Sequence, residues 1–84
     1  MITTSVNLQG SKFQPAAIRV SPGATVTWTN LDNLDHNVSF TSPAVTDIGA
    51  WSTGTRTATM PSAAGTYQYN CTIHAGMNGS VQVQ

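Results

Sequence analysis

The chain has 84 residues, with three basic and three acidic side chains that balance to a formal net charge of zero, and a single cysteine. That length suits one domain over residues 1–84, with one modest core and little room for an enclosed substrate cleft. Without a basic cluster there is nothing to neutralise nucleic-acid phosphates or acidic lipid, and a lone cysteine forms no internal disulfide, which leaves Cys71 free, intermolecular or metal-bound.

Period-2 alternation between turn signals dominates from the start. Val6 and Leu8 alternate with polar neighbours, and Phe13 and Pro15 lead into Ile18 and Val20. Ser21, Pro22 and Gly23 make a turn, Pro presetting φ and Gly supplying conformational freedom. Val26 and Trp28 then point one way while Thr25, Thr27 and Thr29 point the other, as β-branched residues do on a half-buried strand.

Residues 30–35, NLDNLD, read as a polar loop. Beyond it His36, Val38 and Phe40 share one face, so an imidazole stands in register with core residues. The stretch from Thr41 to Thr55, rich in Pro, Gly, Ser and Thr, shows no clear period and reads as an irregular flap, although Val45, Ile48 and Trp51 suit folding back over the core.

Ala58 and Met60 alternate with Thr57 and Thr59, and a turn at Ala63, Ala64 and Gly65 precedes the clearest strand. There Tyr67, Tyr69 and Cys71 share a face, which brings the thiol inward at the strand's end. His74 and Met77 follow on a loop that closes through Gly79 into a last strand with Val81 and Val83 inward. The whole reads as an all-β Greek-key sandwich of about seven or eight strands. No apolar run approaches the roughly 20 residues of a membrane span, and the N-terminus lacks the basic-then-apolar pattern of a signal peptide.

Both histidines, the only cysteine and one methionine gather at one strand start and one strand-to-strand loop. A catalytic cysteine requires a histidine base, an orienting Asn or Asp and usually a helix N-terminus, and no helix is expected here. Core filling accounts for Cys71 or Met77 taken singly, but not for the combination. Cys71-x2-His74-x2-Met77 puts three donors on a tight turn, and His36 is available as a fourth. Structural zinc prefers Cys and His alone. Two imidazoles, a thiolate and a weak axial thioether suit blue copper, where the geometry lies between the preferences of Cu(I) and Cu(II).

Residues 20–40, VSPGATVTWTNLDNLDHNVSF, and 64–84, AGTYQYNCTIHAGMNGSVQVQ, together resemble the cupredoxins, small blue copper proteins. The short Cys-x2-His-x2-Met loop is similar to the amicyanin type more than to the plastocyanin or pseudoazurin types. The resemblance implies a cupredoxin-like sandwich holding one type 1 copper, with His36, Cys71 and His74 as strong ligands and Met77 as the axial one. It implies that Asn37 ties to Thr72 and donates its N–H to the Cys71 sulfur. Ile73, where many relatives have Pro, becomes an added N–H donor to that sulfur, and Asp35 sets a carboxylate beside the first histidine.

The implied function is one-electron transfer between redox partners, without catalysis of its own. Partners are expected to dock transiently near His74, Ala75, Gly76 and Met77, with weak electrostatic steering given the neutral charge. A storage protein, or a domain of a larger copper oxidase, would use the same donors. Copper and a free thiolate favour a periplasmic, luminal or extracellular monomer whose export address lies outside these residues.

Overall fold

A computed structural model describes residues 2–84. Nine strands follow in chain order: β1 Ser5–Leu8, β2 Phe13–Gln14, β3 Ala17–Val20, β4 Thr25–Asn30, β5 His36–Phe40, β6 Ile48–Trp51, β7 Gly54–Thr59, β8 Gly65–Asn70 and β9 Asn78–Val83. They form two sheets, one ordered β2-β1-β4-β7 and the other β3-β9-β8-β5-β6. Parallel pairs, β1 with β4 and β3 with β9, sit among antiparallel ones. The chain therefore crosses repeatedly between layers, as a sandwich requires if each strand is to bury one face.

The alternating residues meet between the sheets. Val6, Leu8, Val26 and Trp28 come from one layer, and Ile18, Val20, Val38, Tyr69, Val81 and Val83 from the other, all buried. An aromatic cluster bridges them: the Trp28 ring stands edge-on to Tyr69 and Phe40 at centroid distances of 5.6 and 6.0 Å, and Phe13 meets Tyr69 at 4.7 Å. Edge-to-face contacts at these distances add to the gain from burial.

The strand count exceeds the expected seven or eight because the two-residue β2 and the four-residue β6 lack a sequence period long enough to read. β6 corrects the expected irregular flap. His36 pairs with Trp51 and Val38 with Ile48, so two steps along β5 match three along β6. This one-residue bulge turns both Ile48 and Trp51 inward, while Gly49 and Ala50 between them stay exposed. Plain alternation would put Ile48 and Trp51 on opposite faces.

Several ends converge at one pole of the sandwich: the start of β5, the ends of β4, β6 and β8, and the turn joining β1 to β2. The 71–77 loop belongs to the same pole. Its mouth is closed by the Asn70–Asn78 pair of the β8–β9 ladder and by the Cys71 N–H donating to the Met77 carbonyl at 2.9 Å.

Candidate metal centre

Cys71 sits immediately after β8, buried at 2% exposure, and His36 opens β5 at 0%. Both hold inward positions in their strands' alternation, which explains why an imidazole and a thiol share the core face. His74, half-buried, is brought back over them by the tight 71–77 turn, in which the Met77 N–H donates to the His74 carbonyl at 3.4 Å. Gly76 adopts φ 80°, a left-handed conformation that favours glycine and lets the loop close in so few residues. Met77 is buried at 1% at the end of the loop.

Three donor atoms converge. His36 Nδ1 and His74 Nδ1 are 3.2 Å apart, and Cys71 Sγ lies 3.8 Å from the first and 3.7 Å from the second. The circumradius of a triangle with those sides is about 2.1 Å, in the range of metal–imidazole and metal–thiolate bonds. The donor set thus fits a first-row transition metal, and the thioether of Met77, buried at the end of the same loop, is a donor type that favours copper over zinc.

The second nitrogen of His36 is also committed. Nε2 lies 2.8 Å from Asp32 Oδ2. Asp32 accepts the Gly10 and Ser11 N–H groups as well, and its carboxyl is held below the usual carboxylate range, chiefly by the Ser11 amide against the opposing effect of burial. With an ionised acceptor, Nε2 carries the proton, which leaves the Nδ1 lone pair directed at the other donors. Asn30, buried at 3%, fixes this loop by donating to the Leu34 and Trp51 carbonyls and accepting the Asp32 N–H.

Asn37 donates through Nδ2 to Thr72 Oγ1 at 2.9 Å and accepts the Thr72 N–H through Oδ1 at 2.8 Å. The pair laces β5 to the residue after the cysteine. Among the hydrogen bonds of the described residues, Sγ is met by the two imidazole nitrogens and by neither the Asn37 nor the Ile73 amide. The Ile73 side chain lies outward at 48% exposure. The carboxylate hydrogen-bonded to His36 is that of Asp32, while Asp35, its neighbour in the chain, is exposed.

Sequence reasoning missed Asp32 and Asn30. In the repeat NLDNLD both Asp32 and Asp35 lie near His36, and only the fold of the loop turns the earlier one onto the ring. Trp51 folds back over the core as its place in the sequence suggests, buried at 4% beside His36, with its Nε1–H on the Gly54 carbonyl at 3.0 Å and Arg56 stacked 5.8 Å from its ring.

Comparison with known proteins agrees with this geometry. Residues 2–84 match the family described as copper binding proteins, plastocyanin/azurin family. Amicyanin-alpha of Methylorubrum extorquens is 41% identical over 86 aligned residues, covering 98% of this chain and 72% of that protein. Plastocyanin of Scenedesmus fuscus is 33% identical, covering 86% of each. The solved structure of an amicyanin variant in its reduced Cu(I) form at pH 4 superposes with a TM-score of 0.86 at 30% identity, covering 98% of this chain and 82% of that one. The all-β sandwich, the converging donors and this match over nearly every residue lead to one assignment: the chain belongs to the plastocyanin/azurin family of copper-binding proteins.

Proposed function

We propose that His36 Nδ1, Cys71 Sγ and His74 Nδ1 hold the copper in a trigonal set, with Met77 as a weak axial donor, in one domain spanning residues 1–84. The function itself follows from the family: the protein is a blue copper electron carrier and not an enzyme, and its cofactor is a single type 1 copper ion. The observation that carries the ligand assignment is the donor triangle, whose equidistant point lies about 2.1 Å from all three atoms. Bound there, copper supplies a one-electron couple between Cu(II) and Cu(I).

The chain's contribution is to hold the donors still. His36 is locked by Asp32 and by β5, Cys71 by the β8–β9 ladder, and the 71–77 loop by its two backbone hydrogen bonds. Rigid donors limit the rearrangement that accompanies a change of oxidation state. The paired hydrogen bonds between Asn37 and Thr72, just behind the donors, orient the cysteine loop and tune the potential.

Redox partners exchange electrons with the carrier at the partly exposed edge of His74. Ala75 and Gly76, next in the chain, are exposed, and Met77 is buried. The loops bearing the donors also expose Leu31, Leu34 and Ile73 at 47%, 41% and 48%, which extends an apolar rim suited to brief, small-area encounters. No helix among the described residues is long and apolar enough to cross a membrane. A periplasmic, luminal or extracellular monomer is the setting that suits a copper–thiolate centre.

Electrochemical titration tests the assignment. One copper per chain and a reversible one-electron wave are expected, with the potential raised in Met77→Leu because losing the axial donor disfavours Cu(II). A wave unchanged by Met77→Leu would remove Met77 from the ligand set.

A further inference from the structure

The turn joining β1 to β2 reaches the metal pole through one carboxylate. Asp32 Oδ2 lies 2.8 Å from His36 Nε2 and accepts the Ser11 N–H at 2.9 Å, so two donors share a single oxygen. Oδ1 accepts the Gly10 N–H at 2.8 Å. Gly10 and Ser11 both have positive φ, 63° and 53°, and their successive N–H groups point at the same carboxylate. Adjacent amides turned onto one anion form a concave cradle of fixed partial positive charge. A left-handed serine is an uncommon conformation, and here its amide is held by that carboxylate.

The carboxylate has little freedom to drift. The Asp32 backbone N–H donates to Asn30 Oδ1 at 2.9 Å, and the buried Asn30 amide is fixed by the Leu34 and Trp51 carbonyls. Leu31 adds a bond from its N–H to the Leu8 carbonyl at 2.9 Å, joining the same loop to the end of β1. The β1–β2 turn, the 30–36 loop and the His36 ring therefore form one hydrogen-bonded unit with Asp32 at its centre.

We propose that Asp32 is a positioning residue that fixes the His36 ring with Nδ1 facing the metal and couples its donor strength to the β1–β2 turn. The proposal rests on the reading that His36 ligates copper. The coupling follows from the shared oxygen. When the Ser11 amide draws on Oδ2, less of that oxygen's charge is available to the imidazole N–H. When the turn loosens, His36 gains more of it, becomes a stronger donor and favours Cu(II). Removing the carboxylate charge acts in the opposite sense. Among the hydrogen bonds of the described residues, Asp32 is the one side chain bonded both to the turn amides and to the ring, so the carboxylate is the direct route by which a backbone change in the turn reaches the metal.

A double-mutant cycle read by the reduction potential of the copper-loaded protein tests this. Asp32→Asn, nearly isosteric, raises the potential and speeds hydrogen exchange of the Gly10 and Ser11 amides. Gly10→Ala strains the turn at positive φ, with open space around the added carbon, and lowers the potential in the parent but leaves it unchanged in the Asp32→Asn background. If Asp32→Asn does not fold, Asp32→Glu, which keeps the charge but displaces it, takes its place in the cycle. An unchanged potential in Asp32→Asn, or an equal Gly10→Ala shift in both backgrounds, overturns the coupling. A parent protein without a reversible copper wave would instead overturn the copper reading, so the two failures are told apart.

Discussion

Gly79 is the position where the fold leaves least room, and Gly79→Ala exposes how tightly packing and site are joined. A methyl built on Gly79 would lie 2.5 Å from Tyr69 Oη and 2.7 Å from Cε1, and closer still to Cζ. Ordinary carbon contacts begin near 3.5 Å, so the ring or the backbone must move by about 1 Å. The ring has nowhere to go, because Phe13, Trp28 and Phe40 hold it at centroid distances of 4.7, 5.6 and 5.4 Å. The strain falls on the β8–β9 pair, where Tyr69 stands opposite Gly79. Overpacking of this kind costs about 2–3 kcal/mol, which lowers Tm by roughly 10–20 °C in a domain of this size.

Tyr69 lies two residues before Cys71 and Gly79 two after Met77, so the same displacement reaches the mouth of the donor loop. Urea unfolding of the metal-free protein measures the cost, and the visible spectrum of the copper form reports the disturbance. In a Tyr69→Leu background, where the ring is gone, Gly79→Ala should cost less than about 1 kcal/mol. Equal costs in both backgrounds, or a parent-like stability for Gly79→Ala alone, would refute the reasoning.

Tyr69 makes an alkaline prediction as well. Burial pushes its hydroxyl up to about 12, with the nearby Trp28 N–H acting in the opposite sense, and neither buried group meets a partner in hydrogen-bonding geometry. Because the folded pKa exceeds the unfolded value near 10, the stabilisation is complete below pH 10 and is lost as the pH rises towards 12, by about 3 kcal/mol. Tyr69→Phe should abolish that loss and stay within about 1 kcal/mol of the parent at neutral pH, as read by denaturant midpoints at both pH values. Asn30→Ala strands two carbonyls and the Asp32 N–H, and should cost about 3 kcal/mol of stability, measured by urea unfolding. Reduction by a partner should change little with salt given the neutral net charge; a steep fall would contradict the apolar docking face.

How much of this was legible in the sequence differs residue by residue. Inward positions in β1, β4, β5 and β9 follow from alternation, since each of those strands keeps one face in the core. The donor cluster is legible because its residue types are rare in the chain and closely spaced. β6 is not, because its bulge breaks the period that reveals a strand and replaces it with two inward residues three apart. Asp32 is not, because only the hydrogen-bonded shape of the 30–36 loop decides which of two aspartates meets His36. Position in the chain alone puts the Ile73 amide on the sulfur, whereas the hydrogen bonds of the described residues bring the two imidazole nitrogens to Sγ.

The central claim is that Cys71 binds copper as a thiolate in a trigonal set with His36 and His74. The most direct test is the visible absorption spectrum of the protein with one equivalent of Cu(II), recorded beside Cys71→Ser. An intense thiolate-to-copper charge-transfer band in the parent, absent from Cys71→Ser although the variant remains folded, is the predicted result. A parent spectrum without that band, or a band that survives in Cys71→Ser, would contradict the account.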